Sequence, residues 1–284
     1  MTEQKNKIEY VKDTFPEYLN KKDYIAASDI KRFLKSPSVF YFDKFLKKEK
    51  SDERHFSIGS ALHELILEPD LFNTNYVVAP KFDKRTKEGK ARFEEFTLNS
   101  KGKTVLFEDE MEMVVKMSQN ALLNHTLLEL MQNSHRELSC YTIDEKTGLK
   151  IKMRPDIMSQ TKSTITDIKS CVDSSPKKFK NDVYSYGYSI SAAFYCDNLK
   201  RENYVFAAME KQEPYQVSLF TLNDEMIEYG RSQYRMALDL IKWSFDNNYW
   251  CNYNEFEILK ECYALENLNE FMNLRDNSQL ITIL

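Results

Sequence analysis

Residues 154–169 read RPDIMSQTKSTITDIK, and the placement of the charges in this stretch decides the fold. Asp156 ends an extended segment, Leu149–Asp156, in which Leu149, Ile151 and Met153 alternate with Lys150, Lys152 and Arg154. Ten residues later Asp167 and Lys169 stand two apart on a second extended segment, Ser163–Lys169. Strand side chains alternate with a period of two, so Asp167 and Lys169 share a face. A hairpin-like turn between the strands brings Asp156 beside them. Two carboxylates and one ammonium then converge on one spot, which is the chemistry that cutting a phosphodiester requires. Hard oxygen donors hold Mg2+. The ion polarises the phosphate and helps generate hydroxide, while Lys169 orients water or stabilises developing charge. Without an ion the two acids repel each other and one pKa rises. Asp-x-Lys alone is common on strand surfaces; the Pro-Asp at strand spacing before it is what makes the pattern informative.

Working outward, Glu137–Ile143 is a further strand, joined to Leu149–Asp156 by Asp144-Glu-Lys-Thr-Gly148, a hairpin signal with Gly148 free to take a positive φ. Downstream, residues 176–199 read mostly as helix. Tyr204–Met209 and Gln216–Phe220 read as strands, and a long helix spans about 223–247. Upstream, 108–133 is an amphipathic helical region, Tyr76–Ala79 a short strand, and Ile58–Leu67 a helix ended by Pro69. Ser28 is a candidate N-cap for a helix over 29–35, and Pro37 fits the first turn of the next helix. Lys81–Lys103 reads as a charged arm with a short helix inside. This order predicts a mixed sheet with helices packed around it. The expected organisation is a loosely packed lead-in over 1–24, one domain over 25–250 and an acidic tail over 251–284.

Apolar residues make up 42% of the 284 residues, enough for a packed core, and no run is long enough to span a membrane. The N-terminus lacks the apolar stretch of a signal peptide, so a cytoplasmic location is expected. Five scattered cysteines with no CxxC pair give little support to a zinc ribbon or an iron–sulfur site and read as reduced structural thiols. The net charge of −4 does not by itself suggest a nucleic-acid binder. Basic residues nevertheless gather at Lys31–Lys50, Lys81–Arg92 and Lys177–Lys180, either as contacts for phosphates or as ordinary solvated faces.

Two more residues extend the candidate site. His63 lies in Gly59-Ser-Ala-Leu-His-Glu-Leu65, either as a core histidine or as a neutral imidazole reaching a metal or its water. Glu137 begins its strand, either as a solvated carboxylate or as another ligand.

These residues carry a resemblance. Gly59-x-Ala-Leu-His63-x-Leu-x-Leu-Glu-Pro69, Tyr76-Val-Val-Ala-Pro80, Lys84-Arg-Thr-x-x-Gly-Lys90, Gly102-Lys-Thr-Val105, Arg154-Pro-Asp156, Asp167-Ile-Lys-Ser170 and Ala193-Phe-Tyr195 run in order over about residues 25–250. Together they resemble the RecE-type (exonuclease VIII) nuclease domain of the PD-(D/E)xK, RecB-like superfamily. The resemblance implies an α/β fold with a central mixed sheet, flanking helices and an N-terminal helical portion. It implies an exodeoxyribonuclease that uses Mg2+, with Mn2+ able to substitute, and digests linear double-stranded DNA from its ends, usually 5′ to 3′. It further implies a ring-like homo-oligomer working beside a RecT-like single-strand annealing protein, as in phages and prophages. On matching positions His63, Glu137, Asp156, Asp167 and Lys169 inherit active-site roles, with Ile168 among the metal-binding positions. RecB-like nucleases carry Gln-x-x-x-Tyr on the following helix; Tyr195 fits, but Ser191 stands at the Gln position and has a shorter reach. Tyr195 reads equally as a core ring. Arg32, Lys84, Arg85, Lys87 and Ser191 are the candidate DNA contacts, and Phe82 and Tyr186 could stack on bases. The alternative is a DNA-binding or interaction protein on the same fold that no longer cuts.

Overall fold

The computed structural model describes residues 7–47, 58–83 and 85–277. The chain opens with β1 (Glu9–Val11), α1 (Phe15–Asn20), α2 (Ala27–Lys35) and α3 (Pro37–Tyr41), the last continued by a π-helical turn at Phe42–Leu46. Thr14 and Glu17 form a reciprocal capping box on α1, and Tyr18 is buried beneath it. The lead-in is therefore ordered from β1 onward, in elements of three and six residues, too short for periodicity to reveal. The N-cap of α2 is Ala26, not Ser28. The Asp29 carboxylate accepts from the Ala26 N–H at 2.9 Å, which moves the helix start upstream and leaves Ser28 inside the first turn. Ser36 caps α3 ahead of Pro37, as its sequence suggests.

Next come α4 (Ile58–Leu67), α5 (Pro69–Asn75), β2 (Tyr76–Ala79), α6 (Lys87–Asn99), β3 (Thr104–Phe107), α7 (Glu108–Leu123) and α8 (His125–Met131). Strands β2 and β3 pair in parallel. The charged arm is mostly the 13-residue α6, onto which Phe82 packs through Phe93 and Phe96 at 5.5 and 5.4 Å between ring centres.

The remaining elements are β4 (Ser134–Arg136), β5 (Ser139–Ile143), β6 (Lys150–Met153), β7 (Ile157–Ser159), β8 (Thr164–Cys171), α9 (Pro176–Ser185), α10 (Tyr188–Leu199), β9 (Asn203–Glu210), β10 (Val217–Thr221), α11 (Asp224–Asn247), α12 (Tyr253–Ala264) and α13 (Phe271–Asn277). A five-stranded mixed sheet runs β10-β9-β8-β7-β4, with β8 and β9 parallel, and a smaller sheet runs β1-β5-β6. Each of the two strands expected at 137–143 and 149–156 ends where the sheets part. Glu137 has a positive φ of 51° between β4 and β5. Pro155 has no N–H for a ladder between β6 and β7. The expected helix over 176–199 likewise divides at Gly187, whose φ is 61°.

Alternation along β8 and β9 builds two cores. Ile165, Tyr204, Phe206 and Ala208 pack with α2, α9, α10 and α11 on one face. Ile168, Ala207 and Met209 pack with Leu62, Ile66, Met117 and Leu127 from α4, α7 and α8 on the other. Each such Ile, Leu, Met or Phe side chain contributes roughly 1.5–3 kcal/mol by leaving water. The acidic C-terminal region is also folded: Phe256, Leu259, Cys262 and Phe271 are buried, with the Phe256 ring 5.4 Å from Phe33. Among the described residues no helix is long and apolar enough to cross a membrane. All five cysteines are buried thiols. The apolar terminus Leu280–Leu284 and Lys84 lie outside the described residues.

Candidate active site

Sheet register assembles the charges. Strands β7 and β8 pair antiparallel with Ile157 opposite Thr166, which sets Asp156 beside Asp167. Asp156 Oδ2 accepts from the Ile168 N–H at 2.6 Å. Asp167 and Lys169 share the face of β8 turned toward α10, and Lys169 Nζ donates to Asp167 Oδ1 at 2.6 Å. Glu137 arrives through its positive-φ turn, where its N–H donates to the Asp156 carbonyl at 3.2 Å. Its Oε2 accepts from Arg154 Nε at 2.6 Å; Arg154 is buried and also donates to the Asp13 carbonyl and to Ser139 Oγ. His63 comes from α4 on the opposite face of the sheet. Its Nε2 lies 2.7 Å from the Ile168 carbonyl oxygen and its Nδ1 3.4 Å from Asp156 Oδ2. A carbonyl can only accept, so the proton belongs on Nε2 and the Nδ1 lone pair is left toward Asp156.

The electrostatics are strained in one direction. Burial, then the charge of Asp167, holds the Asp156 carboxyl well above the usual range. Burial also works against Asp167, but the ammonium of Lys169 outweighs it and leaves that carboxylate below its ordinary value. Asp156 therefore keeps the proton of the pair, in hydrogen-bond contact with Asp167. Burial and the charge of Asp156 raise Glu137 to about 7, against the pull of Arg154. Burial and then Lys169 lower His63, which is neutral near pH 7. Lys169 stays charged: burial works against it, but Asp167 and Asp156 more than compensate.

Ligand atoms of His63, Glu137 and Asp156 all lie within 4.8 Å of one another. An imidazole nitrogen with two carboxylates is a donor set for a hard or borderline divalent cation. Asp156 and Glu137 are both raised, which a cation between them would relieve, so the residues present fit a metal. Asp167 stands beside this trio, tied to Lys169, so the acids do not surround one point equally. Ile168 can offer only its carbonyl, which here faces His63.

The other candidates fall as follows. The Tyr195 hydroxyl accepts from the Arg154 N–H at 3.3 Å while its ring packs between Phe194 and Tyr204, so it is both a core ring and a support for the backbone leading into Asp156. Ser191 lies one turn earlier on α10, half-buried; among the described residues no hydrogen bond links its hydroxyl to the charged cluster. Arg32 is within 3.6 Å of Asp43 and 3.9 Å of Asp29. Arg85 pairs with Asp83 at 3.0 Å on an exposed turn, and Lys87 is exposed at the start of α6. These basic residues are not brought to the cluster. The clamp role of Arg154 went unread in the sequence, because the motif Arg-Pro-Asp places it next to Asp156 but gives no sign that it turns back to Glu137.

The sequence matches, over residues 26–261, the model of a family described as "PDDEXK-like domain of unknown function (DUF3799)". The chain belongs to this family. The motif that names the PDDEXK-like domain is present as Pro155-Asp156 and Asp167-x-Lys169. Among solved structures, the domain is similar to a "Putative exonuclease" from Eubacterium rectale, with a TM-score of 0.55 and 14% identity, covering 84% of this chain and 88% of that one. At that identity the likeness shows the shared α/β fold. The protein SSO0001 aligns with a TM-score of 0.27 at 10% identity, over 80% of this chain and 88% of that one, which bears on nothing further. No curated protein sequence matches.

Proposed function

We propose that this PDDEXK-like domain is a metal-dependent exodeoxyribonuclease that digests linear double-stranded DNA from its ends, probing the backbone one phosphodiester at a time with Asp156, Asp167 and Lys169. The observation that carries the reading is the charge imbalance of the cluster. Half-buried Asp156, held above the usual carboxylate range, and Glu137, raised to about 7, have ligand atoms within 4.8 Å of that of a neutral His63, next to a charged Asp167–Lys169 pair. His63, Glu137 and Asp156 would hold Mg2+, or Mn2+ in its place, with the Ile168 carbonyl adjoining. When bound, the ion supplies Lewis acidity to a phosphate oxygen and lowers the pKa of a water. Asp167 fixes the Lys169 ammonium at 2.6 Å, where it would orient the attacking water or meet charge developing on the phosphate. Arg154 holds Glu137, and Tyr195 steadies the strand before Asp156.

Digestion running 5′ to 3′, a ring-like homo-oligomer and a RecT-like annealing partner complete the proposal, on the resemblance of the motifs to RecE-type nucleases. The test is release of nucleotides from end-labelled linear DNA in Mg2+, alongside closed circular DNA and the Asp167→Ala variant. Digestion of linear DNA alone, lost in the variant, is the expected result. Cleavage of closed circles would replace the exonuclease with an endonuclease, and digestion surviving the substitution would remove this site.

A further inference from the structure

The charges around Tyr188 do not balance. Lys169 lies 5.3 Å from the centre of the Tyr188 ring and is paired with Asp167. A second ammonium, that of Lys31 on α2, lies 6.0 Å from the centre of the same ring. Among the described residues no carboxylate pairs with Lys31. Burial first, then Lys169, bring its pKa down to about 8 against the pull of Asp167. A solvated lysine would swing away from such a place. The backbone leaves this one room to stay. Gly187, at a φ of 61°, leaves room for the Lys31 stem; a Cβ there would stand 3.0 Å from Lys31 Cδ and 3.4 Å from Cγ. Two ammonium groups that share the Tyr188 ring, with the carboxylate of Asp167 paired to one of them, leave a positive charge that a phosphate can meet. Outward from it, Tyr186 is 60% exposed and stacks on Tyr188 with ring centres 5.6 Å apart. An open aromatic face beside paired cations suits a nucleotide chain better than a free inorganic ion.

We propose that Lys31 forms a phosphate subsite beside the reacting centre, holding the backbone phosphate that neighbours the one being cut. This rests on the nuclease reading for its place in the reaction, but not for its binding. Binding is measured by fluorescence anisotropy on short duplexes in Ca2+, each duplex carrying one neutral methylphosphonate linkage at a different position near the end. With the unaltered protein, one linkage should weaken binding roughly tenfold, the cost of one charge-assisted contact. In Lys31→Met, native DNA should bind roughly tenfold more weakly, the same linkage should cost nothing further, and the slope of log affinity against log salt should fall by about one. Lys31→Gln should behave like Lys31→Met, and Lys31→Arg like the unaltered protein. The proposal is overturned if Lys31→Met and Lys31→Gln bind native DNA as tightly as the unaltered protein, or keep its full penalty at every neutral linkage. Turnover is read separately. A protein that shows the coupled loss but releases no nucleotides in Mg2+ or Mn2+ supports the subsite while refuting the nuclease.

Discussion

Two knots of buried charge lie in this domain, and they are built on opposite terms. In the first, Lys44 Nζ donates to Asp29 Oδ2 at 2.6 Å and to the Tyr24 carbonyl at 2.9 Å, and Asp29 also accepts from the Ala26 N–H. Close by, Lys152 Nζ donates to the carbonyls of Tyr18 at 2.6 Å and Lys21 at 2.9 Å, closing the end of α1. Burial brings Lys152 down to about 8, yet each donor meets a fixed acceptor. In the second knot Asp156, Asp167, Glu137 and His63 gather with Lys169 and Arg154, and Asp156 and Glu137 are raised above their ordinary carboxylate values. The first knot is closed by the chain itself. The second leaves carboxyls crowded beyond what Lys169 and Arg154 offset, the arrangement expected of a site rather than a staple.

Cutting one knot and then the other should have opposite effects on activity and stability. Lys169→Ala should lower nuclease turnover roughly 100- to 1,000-fold, the cost of removing one group that meets developing charge, with little loss of thermal stability; a rate within a few-fold of the unaltered protein would count against the reading of the second knot. Lys44→Met should do the reverse. It leaves Asp29 without its ammonium in a buried place and should cost roughly 3 kcal/mol of stability in urea titration, with turnover per folded molecule unchanged.

A finer test uses the sign of the strain in the second knot. Glu137 is raised from 4.5 to about 7 in the folded chain, so its contribution to stability is fully present below pH 4.5 and is lost as pH rises through about 7. Without added metal, the melting temperature should therefore fall more steeply across that window for the unaltered protein than for Glu137→Gln. Mn2+ should raise it more at pH 8 than at pH 5, because the cation competes with protons for these ligands. Equal slopes for the two proteins would mean that Glu137 carries no such strain. The smallest effect belongs to Arg85→Ala. That side chain is 92% exposed and its pair with Asp83 is on the surface, so no measurable change in melting temperature is expected.

Much of the fold could be read directly. The hairpin at Asp144–Gly148, strands β8, β9 and β10, and helices α4 and α11 follow from period, turn chemistry and capping, all of which are local. The misreadings are local conflicts settled at a distance. Glu137 and Pro155 interrupt patterns that look continuous because two sheets diverge there. Residues 9–20 and 253–271 looked loose or merely acidic because their few apolar side chains gain a partner only in the folded molecule, as Phe256 does against Phe33.

Local pattern is enough to specify the Asp167–Lys169 pair and its neighbour Asp156, since a period of two and one short turn act over about a dozen residues and need nothing else. Long-range packing is what brings His63, separated by 105 positions from the carbonyl it meets, to join them from the far side of the sheet. It also decides that Arg154 clamps Glu137, and that Lys31 rather than Arg32 turns toward Tyr188. Those placements depend on how helices pack on a twisted sheet, and packing is set by the summed burial of many side chains that no single motif contains.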